Sequence, residues 1–274
     1  MINKSSIDSW LSSSIKQLLD AGISSARLDA EIILCHTLRK SRTWLHAHGD
    51  DTLDERHRDI ADARLDLRLD RVPIAYIIGH KEFYGRRFDV TTATLIPRPE
   101  SENIIELLDS LDLPEKVRLV DVGTGSGCLG ITAKLEHPSY DVTLVDIDPH
   151  ALTIAQKNAN RLEAEVLCLK SNLLADYPYS ATVILANLPY VDKEWDRSPE
   201  TDHEPAVALF AEDNGLALIK QLIDQTTHKL VPGGYLLLES DRRQHHLINA
   251  YAEQHSLSLV ATEGLITVYR LLSV

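Results

Sequence analysis

A chain of 274 residues, 44% hydrophobic and 25% charged, has room for one large domain and a smaller one and the texture of an ordinary soluble protein. Its formal charge of −13 argues against a surface built mainly to grip a phosphate backbone, which normally presents a basic face. No apolar run approaches the roughly 20 residues of a membrane-spanning helix. The opening MINKSSIDSW lacks the apolar stretch of a signal peptide, and Cys35, Cys128 and Cys168 fall at no disulfide or metal-ligand spacing, so the expected compartment is the cytoplasm.

The first 72 residues read as helices. In SIDSWLSSSIKQLLDAGI, Ile7, Trp10, Leu11, Ile15, Leu18 and Leu19 recur at helical spacing, and Gly22 offers a stop. SARLDAEIILCHTLRK places Leu28, Ile32, Cys35 and Leu38 on one stripe, with Ser25 as the candidate cap. A short segment at 42–48 follows, then a charged helix from about Leu53. Its run RHRDIADARLDLRLDR interleaves Arg with Asp, the pattern of a solvated, salt-bridged surface. HAHGDD (46–51) reads as a polar turn rather than a metal site. No strand interrupts these helices, so residues 1–72 are expected to form a small helical domain and 73–274 a second domain.

From Pro73 the texture changes. PIAYIIGHKEFYGRRFDVT is rich in aromatic and β-branched residues, with Gly79 and Gly85 as breakers, and predicts a hairpin or short strands. LIPRPESEN and a helical stretch, IIELLDSL, lead into regular alternation from Val117. VRLVDV, DVTLVDI, EVLCLKS, ATVILAN and GGYLLLES are predicted strands, separated by helical patterns such as GCLGITAKLEH, HALTIAQKNANRL and GLALIKQLIDQTTHKL. Such alternation predicts an α/β fold with a parallel, doubly wound, Rossmann-like sheet covered on both faces.

LVDVGTGSGCLG follows the first strand of that alternation and opens its helix. Gly123, Gly125 and Gly127, with Thr124 and Ser126 between them, let the backbone turn sharply and approach a ligand. Asp146 ends the second strand, where an acid accepts hydrogen bonds from ribose hydroxyls. Gly125, Gly127 and Gly130 also fit G-x-G-x-x-G, which by itself leaves a dinucleotide and S-adenosylmethionine both open. Asp121 tilts the choice, because a carboxylate just before the loop meets the cationic amino-acid end of S-adenosylmethionine and repels a pyrophosphate. KSNLL, after the third strand, would bring Asn172 near the adenine. Cys128, at the start of the following helix, reads as a small packing residue.

The fourth strand delivers Asn187, Leu188, Pro189 and Tyr190 at the carboxyl edge of the sheet, where ligands of such folds bind. The Asn187 side-chain oxygen and the Leu188 backbone carbonyl can both accept from one planar –NH2 group. Holding both hydrogens turns the nitrogen lone pair toward a methyl on a sulfonium. Positioning of this kind supplies on the order of 7–11 kcal/mol of a barrier in well-oriented cases. Tyr190 can stack on the flat target group.

Asn-(Pro)-Pro-Tyr after the fourth strand marks amino-methyltransferases that modify planar nitrogens, and NLPY resembles it. ARLDAEIIL, PIAYIIGHKEFYG, IPRPESE, DVGTGSG, NLPY, EPAVALFAEDNGL and GGYLLLE follow one another over most of the chain. Together they look like the release-factor glutamine methyltransferases, the HemK/PrmC family. The resemblance implies an N-terminal helical domain that docks the substrate and a catalytic domain that uses S-adenosylmethionine. It further implies methylation of the side-chain amide nitrogen (N5) of the glutamine in the Gly-Gly-Gln loop of a peptide chain release factor. Residues 123–127 and Asp146 would hold the cofactor, Asn187 and the Leu188 backbone the glutamine amide, and Pro189 and Tyr190 would shape the pocket. Arg98 resembles a family position beside the active site. Leu173 stands where the family often has a tryptophan or another large residue.

Two departures accompany the resemblance. Leu188 replaces the first proline, giving the spelling found in rRNA adenine dimethylases, although leucine offers the same backbone carbonyl and Pro189 still biases it toward extended geometry. The terminal LVATEGLITVYRLLSV lacks the Asp/Gly-rich turn and Arg usual in the family's last hairpin. The alternatives are a nucleic-acid methyltransferase acting on adenine N6 or guanine N2, and a catalytically impaired S-adenosylmethionine-binding module that binds a translation factor. The acidic charge, the helical module and IPRPESE weigh against the first, and the intact Asn-x-Pro-Tyr against the second.

Overall fold

The computed structural model describes residues 6–272. One compact unit ends at Gly79 and takes in Ser198–His203; the other comprises His80–Arg197 and the chain from Glu204 onward.

Helical spacing in the first unit becomes α1 (Ile7–Asp20), α2 (Ala26–Leu38), α3 (Arg42–Ala47), α4 (Glu55–Leu69) and the single turn α5 (Ile74–Ile78). Side chains of Ser6, Ser41 and Asp54 cap α1, α3 and α4 by accepting the backbone N–H three residues on. Ser25, the expected cap of α2, makes no such bond; its hydroxyl donates to Asp29 Oδ2 at 2.7 Å. The core face of α2 also differs from the predicted stripe. Leu28 is 44% exposed, and Ala26, Ala30, Ile33 and Leu34 are buried. Because α2 packs against α1, α3, α4 and α5, its buried face is too broad for one stripe to define.

The charged helix is only partly solvated. Asp62 accepts from Trp10 Nε1 at 2.7 Å, Arg64 donates to Thr37 Oγ1 at 2.7 Å, and Arg68 is buried. Arg68 Nε lies 2.7 Å from Asp29 Oδ2 and its Nη2 3.0 Å from Glu200 Oε1, which ties α4, α2 and the 198–203 segment together. Removing one partner of such a pair leaves a buried charge uncompensated.

In the second unit, β1 (His80–Phe83) and β2 (Arg86–Asp89) form the expected hairpin across Tyr84 and Gly85. The stretch before them is the turn α5, because Pro73 starts it and Gly79, at φ +77°, ends it. A 3-10 turn (Pro99–Glu102) and α6 (Asn103–Asp109) follow. The alternation runs β3 (Arg118–Val122), α7 (Cys128–Glu136), β4 (Asp141–Asp146), α8 (Pro149–Leu162), β5 (Leu167–Lys170) and β6 (Ala181–Ala186). It continues with α9 (Ala206–Leu209), α10 (Ala217–Lys229), β7 (Leu230–Glu239), α11 (His245–Gln254), β8 (Leu257–Glu263) and β9 (Ile266–Leu271). The seven-stranded sheet has the order β5-β4-β3-β6-β7-β9-β8.

Its five predicted strands are parallel, but β9 runs antiparallel to both β7 and β8, so the sheet is mixed. A tight turn at Gly264 joins β8 to β9, and so short a connection permits only antiparallel pairing. Apolar cores lie on both sheet faces. One gathers Phe83, Phe88, Ile104 and Leu129 against Leu119 and Leu185; the other gathers Ile219, Leu222 and Ile248 against Val120 and Ile184.

Register positions the loops. Val122 pairs with Val145 and with Ala186, and Ala186 with Leu238. Gly123, Asp146, Asn187 and Glu239 therefore emerge level with one another at one edge of the sheet. Among the described residues no helix is long and apolar enough to cross a membrane.

Arg68→Ala is expected to destabilise the protein by about 3–5 kcal/mol by stranding Asp29. Urea denaturation of the full chain measures this, and a change under 1 kcal/mol would remove the pair from the account of the first unit.

Candidate active site

The glycine loop is held from below. Gly123 N and Thr124 N both donate to Val145 O, at 2.9 and 3.0 Å, and Gly127 N donates to Thr124 O at 2.8 Å. Asp121 Oδ2 accepts from Thr124 Oγ1 at 2.5 Å and from Gly130 N at 2.9 Å, which fixes the loop to the first turn of α7. Asp121 Oδ1 is buried without a partner. Burial pushes the Asp121 carboxyl up to about 6, against the pull of those two donors and with a further push from Asp146.

Asp146 faces the loop. Its Oδ2 accepts from Gly125 N and its Oδ1 from Asp148 N, each at 2.9 Å. Burial raises its carboxyl above the usual range, and the two N–H donors moderate the shift. A carboxylate has about four lone-pair sites, so two remain for a diol. A Cβ on Gly125 would meet nothing within 4 Å, so the loop edge is open.

The 187–190 loop closes the other side. Asn187 Nδ2 donates to Ser101 Oγ at 3.1 Å, and Ser101 Oγ donates to Glu239 Oε2 at 2.6 Å. Tyr190 Oη donates to Glu239 Oε1 at 3.2 Å. Leu188 is buried, with Cδ2 only 2.8 Å from where a Cβ on Gly123 would lie, so the two loops touch through it. Beyond Pro189, the Tyr190 carbonyl accepts from Gln244 Nε2 at 2.9 Å, and the same nitrogen donates to Asn214 O at 2.8 Å. Gly215, at φ +83°, packs so closely that a Cβ would lie 2.0 Å from the Tyr190 oxygen.

One cavity gathers most of the sequence-predicted residues. Gly123, Thr124, Gly125 and Ser126 form one wall, Asp146, Asn172 and Leu173 the next, and Asn187, Leu188, Pro189 and Arg98 the far side. Asp121, Gly127 and Tyr190 are not part of this lining. Leu173 is buried with φ +52°, a left-handed conformation uncommon for leucine, in the turn after β5. Arg98 Nη2 donates to Glu204 Oε1 at 2.5 Å, and Glu204 Oε2 accepts from Ile96 N at 3.1 Å. Burial and the nearby Asp121 push the Cys128 thiol to about 12, so it stays protonated.

Glu239, Ser101, Glu204, Gln244 and Gly215 also belong to the site, although the sequence does not single them out as individual residues. Glu239 carried a signal, since a carboxylate ending the apolar run YLLL has to be partnered inside.

Counted within the sheet, the strand order is 3-2-1-4-5-7-6. It differs from the dinucleotide-binding order 3-2-1-4-5-6 by the antiparallel strand slipped in before the last. With the glycine loop and the acid ending β4, this sheet defines the class as a Rossmann-like S-adenosylmethionine-dependent methyltransferase. A Pyrococcus furiosus methyltransferase has the same fold, with a TM-score of 0.55 at 18% identity over 77% of this chain and 98% of that one. So does a T. thermophilus 16S rRNA methyltransferase solved in complex with AdoMet and guanosine, with a TM-score of 0.50 at 16% identity over 70% and 49% of the two chains.

Sequence families narrow the class. Residues 9–79 match the PrmC N-terminal domain and residues 101–203 the Methyltransferase small domain. A Release factor glutamine methyltransferase from Koribacter versatilis is 42% identical over 83% of either chain. Those of Salmonella typhimurium and Escherichia coli K12 are 36% and 37% identical over 92% and 86% of either chain. The chain belongs to the release factor glutamine methyltransferase family, and its cofactor is S-adenosylmethionine.

Gly215→Ala is expected to displace the Tyr190 carbonyl and lower methyl transfer by about a hundredfold while S-adenosylmethionine binding holds, since a misplacement of roughly 1 Å has that effect. Turnover measured beside cofactor titration checks it; an unchanged kcat would show the loop to be indifferent to this contact.

Proposed function

We propose that the protein methylates the N5 side-chain amide nitrogen of the glutamine in the Gly-Gly-Gln loop of a peptide chain release factor. The observation that carries this reading is the orientation of Asn187. Its Nδ2 is engaged by Ser101, so its Oδ1 is left as an acceptor at the cavity wall.

S-adenosylmethionine supplies an electrophilic methyl on a sulfonium. The residues of the chain fit it: the open edge at Gly125 gives backbone access, Asp146 has acceptor sites left for two ribose hydroxyls, and the unpartnered Oδ1 of buried Asp121 favours a cation. Residues 123–127, with Asp146, would hold the cofactor, and Asn172 and Leu173 would flank the adenine. Asn187 Oδ1 and the Leu188 carbonyl would take the two hydrogens of the glutamine amide, which turns the nitrogen lone pair toward the methyl and counters its delocalisation into the carbonyl. Pro189 and Tyr190 shape that pocket, and Arg98, braced by Glu204, stands beside it. The nitrogen becomes cationic on transfer and then releases its proton to water, so no strong base is required. The N-terminal helical unit would dock the body of the release factor. A release factor substrate places the enzyme in the cytoplasm.

Incubation with labelled S-adenosylmethionine and, separately, release factor and ribosomal RNA tests the reading. Label is expected on the glutamine of the Gly-Gly-Gln loop; label on RNA alone would overturn it in favour of nucleic-acid methylation. Asn187→Ala is expected to abolish transfer with cofactor affinity within about threefold, because the lost contact belongs to the other substrate.

Affinity for the cofactor should also depend on pH. Asp121 is ionised above about 6 and neutral below it, and only the ionised form attracts a cation. The dissociation constant is expected to rise as pH falls through that value, by up to about tenfold per unit. Calorimetric titration between about pH 5 and 8 measures it; a flat profile would exclude a charge role for Asp121.

A further inference from the structure

Glu239 is the carboxylate at the end of β7, 1% exposed. After burial, the strongest influences on its charge are the Ser101 and Tyr190 hydroxyls, the Asn187 amide and the Glu100 carboxylate. The buried Cys128 thiol also feels it. A charge so placed is held by neutral donors, the two hydroxyls at its oxygens first among them. That constraint reaches the substrate side of the cavity.

We propose that Glu239, acting through Ser101, sets which end of the Asn187 amide faces the substrate, which makes it a positioning residue for methyl transfer. The inference rests on the amide-holding role of Asn187 given above. An ionised carboxylate only accepts, so Ser101 and Tyr190 both commit their single protons to it. Ser101 then has only lone pairs left for its other neighbour, and Asn187 must meet it with Nδ2, at 3.1 Å. Oδ1 is thereby turned away as an acceptor.

A neutral Glu239 reverses the chain. Its O–H can donate to Ser101, which frees the serine proton to donate to Asn187. The asparagine then offers Oδ1 to Ser101 and –NH2 to the substrate, and two –NH2 groups facing each other share no hydrogen bond. A glutamine at 239 has the same ability to donate. Burial raises the Glu239 carboxyl above the ordinary range, with Glu100 adding to the rise and Ser101, Tyr190 and Asn187 opposing it. The switch to the wrong orientation therefore lies above the ordinary carboxylate range.

The test uses the full chain, a release factor and saturating S-adenosylmethionine, so that titration of Asp121 and Asp146 does not enter kcat. If the wild type places no label on the glutamine, the functional reading fails and this inference is not what failed. With wild-type labelling in hand, Glu239→Gln and Ser101→Ala are each expected to lower kcat about tenfold or more, with cofactor affinity within about threefold. The acid limb of the wild-type kcat profile should vanish in Glu239→Gln, and the double variant should be little worse than the poorer single one, because both act through Asn187. A purely structural role for Glu239 would leave no titrating limb to remove. Should Glu239→Gln fail to bind cofactor, Ser101→Ala and the wild-type profile carry the test. Wild-type kcat in either variant, an acid limb that persists without Glu239, or losses that multiply in the double variant would overturn the proposal.

Discussion

The parallel ladder from β4 through β3 and β6 to β7 is the constraint on which everything at the site depends. Its register brings Gly123, Asp146, Asn187 and Glu239 out at one level, so the glycine loop and the Asn-Leu-Pro-Tyr loop face each other across adjacent strands. A slip of one residue in any strand would exchange its core face for the other face and carry these residues with it. The two apolar cores, one on each side of the sheet, forbid that slip. Catalytic geometry in this protein is thus a by-product of where valine, leucine and isoleucine must be buried.

Much of this was legible in the sequence because it rests on local rules. Strands buried on both faces read as apolar runs, glycines marked the loop after β3, and proline marked the loop after β6. What stayed hidden depends on approach in space. Ser101 and Glu239 are bonded although 138 positions apart, and neither signals the other. Gly215 opens a predicted helical pattern, yet what it avoids is the Tyr190 carbonyl. Leu28 and Ser25 misled for a related reason: α2 has neighbours on several sides, and a buried Asp29 draws the Ser25 hydroxyl away from the helix end. The antiparallel β9 was concealed because its pairing follows from a turn length rather than from its composition.

Buried carboxylates do different work at the two ends of the cavity. Asp121 spends one oxygen on the loop and leaves the other unpartnered, which stores an attraction for a cation. Glu239 is engaged at both oxygens, and by neutral donors only. Such a group costs desolvation energy without the return a salt bridge gives. Its presence beside the Asn-Leu-Pro-Tyr loop fits the proposal that it supplies the direction of a hydrogen-bond chain rather than stability.

Leu188 now has a physical meaning that its letter alone did not give. Proline at that position would fix φ and remove part of the backbone entropy that ordering the loop costs, about 1–2 kcal/mol per residue. Leucine gives up that lock, but its side chain is buried and reaches the space above Gly123. Full burial of a leucine contributes about 1.5–3 kcal/mol, which is the same scale. The substitution therefore exchanges backbone stiffness for an apolar anchor. It also alters what the loop is fastened to: a proline ring constrains its own residue, whereas this leucine ties the Asn-Leu-Pro-Tyr loop to the glycine loop. Order at either loop is thereby transmitted to the other through a single side chain.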